Sequence, residues 1–194
     1  MTGLRELLGR PVLDVAPALL GSVLRLGEVA VRITEVEAYD GAEDPGSHAY
    51  RGPSPRNLVM FGPAGHLYVY FTYGMHFCCN VVCGPEGRAS AVLLRAGEVV
   101  EGLDTARERR PKSADRDLAR GPARLCRALG IGREHNGLDL TAGALCQPDR
   151  PATAFSAGPR VGLRLAADRQ WRFWLTGDPT VSRYVPAKVR QPRP

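Results

Sequence analysis

Two runs of β-prone residues lie close together in the middle of the chain, joined by a very short connection. Residues 67–73 and 77–83 are rich in aromatic and β-branched side chains, and Tyr73-Gly74-Met75-His76 spans the junction. Two such runs with glycine between them are typical of a β-hairpin. Residues 89–96 form another such run, so the middle of the chain is predicted to be a meander of antiparallel strands.

Residues 29–39 alternate in the manner of a β-strand with two unlike faces. One face begins apolar and ends in carboxylates; its residues are Val29, Val31, Ile33, Glu35, Glu37 and Tyr39. Glu37 then leads into residues 40–66, a Gly- and Pro-rich segment that predicts a long loop, and loops of this length inside a compact domain are usually functional or disordered. A carboxylate there can be partly desolvated and still reach a ligand. The alternative is an edge glutamate in a salt bridge.

The remaining segments complete the prediction of an α+β fold. The pattern predicts short helices within 4–20 and at 122–129, loops at 107–120 and 148–158, and final strands at 161–166 and 171–176. The expected architecture is a single domain over 1–185: a curved, mostly antiparallel sheet with a protruding hairpin and surrounding short helices. The basic, Pro-rich tail at 186–194 is expected to be disordered.

Composition narrows the class of protein further. The first residues resemble neither a signal peptide nor a mitochondrial presequence, and no apolar run reaches the length of a membrane span. The five cysteines form no C-x-x-C pair, and the four histidines lack metal-ligand spacing. We therefore expect a cytoplasmic monomer with free thiols, no metal and no cofactor.

The net charge of +6 suits a polyanionic partner such as DNA. Only two of the 26 basic residues are lysines, Lys112 and Lys188. The same arginine-rich bias can arise from a GC-rich genome without selection for binding, so charge alone leaves nucleic-acid binding open.

Several side chains invite a functional interpretation alongside an ordinary one. Tyr73 at the hairpin tip suits a wedge between base pairs, or it folds back onto the sheet. Tyr39, Tyr70 and His48 could sandwich a flipped purine, or serve as core residues. Arg95 could orient a carboxylate or phosphate, or simply be solvated.

Residues 129–132 (LGIG) are faintly similar to the hairpin of helix-hairpin-helix motifs. The following residues do not look like the second helix that this motif requires. A helix C-cap with a turn is the preferred interpretation.

Read together, these segments resemble the alkyladenine (3-methyladenine) DNA glycosylases of the mammalian N-methylpurine type, and a bacterial member is expected. The similar segments are Thr34–Tyr39, Ser47-His48, Pro55-Arg56-Asn57, Met60-Phe61, Gly65–Asn80, Val92–Ala96 and Arg160-Val161-Gly162. They preserve order and spacing from Glu37 to Arg95, and the resemblance covers the chain from about residue 19 to residue 182.

The resemblance implies a catalytic centre in which Glu37 is the general base. Arg95 and the main-chain carbonyl of Val161 would help to hold the attacking water. Tyr73, flanked by Met75, would intercalate into the gap left by the flipped nucleotide.

The resemblance also implies a base pocket. Tyr39, His48 and Tyr70 would line it, with the His48 main-chain amide reading the purine edge, and Asn80 would exclude guanine. His76 and Cys79 occupy hairpin positions that vary among family members.

The implied activity is removal of 3-methyladenine, hypoxanthine or ethenoadenine from double-stranded DNA in base excision repair. The scarcity of lysine predicts a monofunctional enzyme that leaves an abasic site. Two alternatives remain: a non-catalytic nucleic-acid-binding module, which would not need Glu37, and a small-molecule glycoside or nucleoside hydrolase using Glu35 with Glu37.

Overall fold

One antiparallel sheet of eight strands organises the computed structural model, which describes residues 3–148, 150 and 152–187. The strands are β1 (Val23–Leu26), β2 (Val29–Tyr39), β3 (Leu67–Thr72), β4 (His76–Val82), β5 (Ala91–Glu101), β6 (Leu145–Cys146), β7 (Phe155–Gly158) and β8 (Arg172–Leu175). Their main order is β3-β4-β5-β2-β1-β6, with β8 joining β7 to β2. The predicted meander is thus confirmed as β3-β4-β5.

Strand β2 is the centre of the sheet. Residues 30–39 pair with β5 on one side, while residues 29–32 pair with β1 and residues 35–37 with β8 on the other. The predicted bounds of this strand, 29–39, are confirmed. Most of its side chains are buried, including Thr34, Glu35 and Glu37. Both faces of the sheet are covered here, so alternation of residue type does not produce alternation of exposure.

Four short α-helices accompany the sheet in the described part of the chain: α1 (Leu4–Leu8), α2 (Val12–Ala18), α3 (Leu103–Arg109) and α4 (Pro122–Leu129). Helix α4 has Pro122 in its first turn, where the missing N–H costs no hydrogen bond. It ends at Gly130, which caps the helix with φ of 72°. The predicted C-cap is therefore confirmed, and a 3-10 turn at Arg133–His135 follows it instead of a second α-helix.

Three predicted segments differ from the structure. The segment 148–158 was expected to be a loop, but Phe155–Gly158 forms β7, which pairs with β8. Helix α3 extends to Arg109, inside the segment 107–120 that was expected to be a loop, because Ala106 is buried against the core. The strand expected at 161–166 is wrong. Gly162 has φ of 71° and Ala166 φ of 50°, values incompatible with extended backbone. Of the predicted tail at 186–194, residues 188–194 lie outside the described part.

The two faces of the sheet have different partners. On one face, Val36, Val81 and Leu94 join the main apolar core together with residues of α2 and α4. On the opposite face, the loop at 40–66 contributes Met60 to a smaller cluster with Tyr68. Helices α2 and α4 therefore cover one side of β2, β4 and β5, and the loop covers part of the other side of β3, β4 and β5.

Three residues, Tyr73 to Met75, connect β3 to β4 at the tip of the hairpin. Met75 N–H donates to the Thr72 carbonyl at 3.2 Å, and Tyr73 and Gly74 between them have φ of 51° and 67°. Left-handed backbone at both positions matches the right-handed twist of a hairpin. The Tyr73 side chain is 88% exposed. The alternative in which Tyr73 folds back onto the sheet is therefore wrong.

Within the described residues, no helix has both the length and the apolar character needed to span a membrane.

Candidate active site

A cavity of about 380 Å³ opens on the sheet face opposite the helices. Alternate residues of four adjacent strands line it because side chains two apart share a face. These are Glu37 and Tyr39 on β2, Tyr68 and Tyr70 on β3, Cys78 and Asn80 on β4, and Leu93 and Arg95 on β5. The 40–66 loop adds His48, and the late segment adds Val161. All the predicted catalytic and base-pocket residues thus meet in one cavity.

Glu37 is completely buried in the wall of this cavity. Its Oε1 accepts a hydrogen bond from the Val161 N–H at 2.7 Å, and its Oε2 accepts one from the Tyr39 hydroxyl at 2.8 Å. Arg95 Nη1 lies 3.4 Å from Oε1. These donors compensate a buried negative charge, which would otherwise be costly. The alternative of an edge glutamate in a salt bridge is confirmed in the ion pair with Arg95 but wrong in the edge position, because Glu37 is buried on a strand that is paired on both sides.

Arg95 connects Glu37 to the second carboxylate of β2. Its Nε donates to Glu35 Oε1 at 3.0 Å. Burial, the largest single influence, lowers the pKa of Arg95, but the carboxylates of Glu37 and Glu35 outweigh it and the pKa is raised. The guanidinium therefore stays charged beside Glu37, and the alternative of a solvated arginine is wrong.

Glu35 is held from three directions and does not line the cavity. In addition to Arg95, Arg172 Nη1 donates to Glu35 Oε1 at 3.1 Å, and the Ser182 N–H donates to Oε2 at 2.7 Å. With its acceptors engaged away from the cavity, Glu35 does not form the catalytic pair with Glu37 that a small-molecule hydrolase would need. Sequence reasoning missed Arg172 and Ser182, for which the sequence carries no local signal.

Three aromatic rings form a wall of the cavity. The His48 and Tyr70 rings contact edge to face at 4.6 Å between centroids, and Tyr68 and Tyr70 lie 5.5 Å apart. Burial raises the pKa of Tyr70, so its hydroxyl stays protonated. Burial and the nearby Arg56 lower the pKa of His48, which favours its neutral form.

The Tyr39 ring is supported from behind by Arg160. The Arg160 guanidinium lies 4.7 Å from the ring centroid and is fully buried with Asp44, which accepts two hydrogen bonds from it. Burial, then Glu37, raises the pKa of Tyr39 well above its usual range. Tyr39 is thus a fixed phenol donor. Sequence reasoning missed the Asp44–Arg160 pair, because a single sequence does not distinguish a buried arginine from an exposed one.

Asn80 is buried beside the register partners Tyr68 and Leu93. Its Nδ2 donates to the Tyr68 carbonyl at 3.2 Å, which fixes the orientation of the amide. Asn80 therefore presents a defined polar group to the cavity.

The predicted intercalating residues lie at the rim. Tyr73 lines the cavity mouth, whereas Met75, 68% exposed, lines a neighbouring groove instead. No three His, Cys, Asp or Glu side chains come together as a metal site anywhere in the part of the chain that the structure describes.

Comparison with known proteins decides the family. The sequence profile described as methylpurine-DNA glycosylase (MPG) matches residues 6–179. The chain belongs to this family. It is accordingly a DNA glycosylase, a hydrolase of N-glycosyl bonds, rather than a non-catalytic module.

Bacterial relatives of the methylpurine-DNA glycosylase family match nearly end to end. A "Putative 3-methyladenine DNA glycosylase" of Streptomyces avermitilis is 55% identical over 196 residues, covering 93% of this chain and 90% of its own. Proteins of the same name from Frankia casuarinae and Nocardia farcinica are 53% and 54% identical; they cover 95% and 92% of this chain and 92% of their own in each case.

Proposed function

We propose that this glycosylase excises alkylated or deaminated purines, the class of 3-methyladenine, hypoxanthine and ethenoadenine, from double-stranded DNA and leaves an abasic site. The observation that carries the proposal is the position of Glu37. This carboxylate is completely buried in the wall of an aromatic cavity, and an exposed tyrosine stands at the cavity mouth.

Glu37 acts as the general base. Breaking the bond between the sugar C1′ and the base builds positive charge on the sugar, and water must attack that carbon while losing a proton. A buried carboxylate both accepts the proton and stabilises the developing charge. Arg95, 3.4 Å away, and the main-chain carbonyl of Val161 help to hold the water. The Val161 N–H donates a hydrogen bond to Glu37, and this contact supports a role for the Val161 main chain beside the attacking water.

The cavity receives the extruded base. Tyr39 offers a flat face backed by Arg160, and His48 and Tyr70 form the opposite side, with the His48 main-chain amide reading the purine edge. Asn80 excludes guanine by clashing with its 2-amino group. The hydrogen bond from Asn80 to the Tyr68 carbonyl supports this role because it prevents the amide from moving aside.

Tyr73 fills the gap that the extruded nucleotide leaves in the duplex. Extrusion costs a few kcal/mol and is least costly at damaged sites, so a wedge that opposes return of the base favours lesions. The exposure of Tyr73 and of its neighbour Met75 supports this role. Cationic lesions leave readily, whereas neutral lesions need protonation or hydrogen bonding at the departing base.

The enzyme is proposed to be monofunctional, monomeric and independent of metals and cofactors. A bifunctional glycosylase nicks the strand through a Schiff base with an amine. Lys112 is not among the residues that line the cavity. A strand break appearing without added base or endonuclease would contradict this part of the proposal.

The test is single-turnover release of hypoxanthine and 3-methyladenine from duplex DNA at equal DNA occupancy. Glu37→Gln keeps the shape of the side chain but removes the carboxylate that accepts the proton, so we expect the rate of base release to fall by roughly 10²- to 10⁴-fold. Glu98→Gln, an exposed glutamate paired with Arg32, is the control and keeps the wild-type rate. Equal rates for Glu37→Gln and wild type, or no release of either base from bound DNA, would refute the proposal.

A further inference from the structure

A second, larger cavity lies beside the hairpin and takes no part in the proposed chemistry. This groove has a volume of about 990 Å³ between the β4 side of the hairpin and helices α3 and α4. Met75, His76 and Phe77 form its hairpin wall. Arginines 109, 110, 124 and 127 form its helical wall, and Glu108 is the one acidic residue among the described residues that line it.

None of the four groove arginines makes an ion pair with a carboxylate of the described chain. Arg109 Nη1 donates to the Ala128 carbonyl at 2.7 Å, Arg127 Nε donates to the Arg109 carbonyl at 2.8 Å, and Arg110 is likewise held by main-chain carbonyls. Carbonyl partners fix a guanidinium in place without neutralising it. Arg124 and Arg127 are exposed to solvent.

The mutual repulsion of these arginines is visible in Arg110. Burial, followed by the charges of Arg124 and Arg127, lowers the pKa of Arg110. Nearby Arg107 is the opposite case, because Asp104 and Asp115 both pair with it at 2.8 Å. Asp117 opposes this lowering of the Arg110 pKa. A cluster of guanidinium groups along a groove, none of them ion-paired within the described chain and three of them held by main-chain carbonyls, is an arrangement that binds phosphates.

The groove and the base cavity lie on opposite sides of the hairpin tip. Tyr73 lines the base cavity and Met75 lines the groove; at the start of α4, Pro122 lines the cavity and Arg124 lines the groove. A wedge within a base stack separates two strands. If the strand that carries the extruded nucleotide faces the cavity side of the tip, the other strand faces the groove side.

We infer that the arginine groove binds the phosphodiester backbone of the complementary, undamaged strand. The inference rests on the proposed extrusion into the base cavity, and it assigns the groove a ligand that the base-release chemistry does not require. It also accounts for the orientation of the enzyme on a duplex, since one tip and two flanking surfaces define which strand is presented to Glu37.

The test measures DNA affinity alone. Fluorescence anisotropy follows binding to a duplex that carries a stable tetrahydrofuran abasic analogue, which cannot be excised. We compare wild type, Arg124→Ala/Arg127→Ala, Arg124→Gln alone, and Arg107→Ala as an ion-paired control from the same region. Circular dichroism verifies the fold of each variant.

We expect the double variant to bind roughly tenfold more weakly, and its slope of log Kd on log salt to fall by about two, near 0.9 for each lost phosphate contact. Arg124→Gln lowers the slope by about one, and Arg107→Ala leaves it unchanged. Neutral methylphosphonate linkages in the complementary strand should weaken wild type but not the double variant.

Two results would overturn the inference. The first is a salt slope for the double variant equal to that of wild type. The second is that the double variant loses sensitivity to methylphosphonates in the damaged strand and not to those in the complementary strand. Wild-type base release, which these binding experiments do not measure, tests the proposed function separately.

Discussion

Glu35 holds the guanidinium of Arg95 by accepting a hydrogen bond from its Nε at 3.0 Å. The same guanidinium faces Glu37 through Nη1, so the geometry beside the proposed general base depends on a carboxylate that does not line the cavity. Both carboxylates are completely buried.

Glu35→Gln is therefore expected to destabilise the protein. The substitution leaves Arg95 and Arg172 partly uncompensated inside the protein, and breaking a buried pair costs about 3 kcal/mol. Urea unfolding measures the change. Glu98→Gln at an exposed pair should cost less than about 1 kcal/mol. Equal decreases in the free energy of unfolding for the two variants would show that burial of the Glu35 ion pairs contributes no additional stability.

Tyr73→Asn is expected to stabilise the fold while weakening binding to lesion-containing duplex. Tyrosine at φ of 51° is strained, and asparagine tolerates this conformation better, a difference of about 1 kcal/mol. The lost ring, however, removes the proposed wedge. Thermal unfolding and DNA titration measure the two effects. Tyr73→Phe keeps both ring and strain and serves as the control; a Tyr73→Asn protein that binds as tightly as Tyr73→Phe would refute the wedge.

His48 is expected to titrate below its ordinary pKa of about 6.5. Burial, the first cause, and then Arg56 both disfavour its charged form. Because the unfolded chain takes up the proton more readily, stability is lost as the pH falls from about 6.5 through the folded pKa. NMR of the imidazole ring follows the titration. Arg56→Gln should raise the pKa only partly, since burial remains; no rise at all would exclude the charge of Arg56 as a cause.

Only one of the five thiols is expected to react with a thiol reagent in the native protein. Cys146 is exposed, whereas the other four are buried. Burial raises the pKa of Cys78 to about 11 and that of Cys83 to about 12, so neither forms the reactive thiolate at neutral pH. A colorimetric thiol assay should count one group in buffer and five in denaturant. More than one rapid equivalent in buffer would contradict the buried placement.

Local patterns predicted those parts of the fold that local physics determines. The bounds of β2 follow from its alternation, and α4 follows from Pro122 at its start and Gly130 at its end. The strand expected at 161–166 failed because apolar composition does not reveal that Gly162 turns the backbone. The position of Arg95 after a β-prone run already made it a candidate to orient a carboxylate, whereas Val161 and the water-holding role of Arg95 came only from the resemblance to a family.

The supporting contacts of the site could not be predicted from the sequence. Two glutamates on one strand face look equivalent, yet Glu37 lines the cavity and Glu35 is held away from it. The difference arises from partners far along the chain, such as Arg172, and from bulges in the pairing of β2 with β5. Neither feature can be recognised from the sequence around residue 35.

The amides that hold the two glutamates come from late in the chain. Val161 reaches Glu37 across 124 positions, and Ser182 reaches Glu35 across 147. Contacts of such separation form late in folding because a long loop must close first. A chain still bound to the ribosome can thus form the hairpin that exposes Tyr73 before Val161 and Ser182 donate to the two carboxylates. The main-chain donors to both carboxylates are therefore among the last parts of the site to be synthesised.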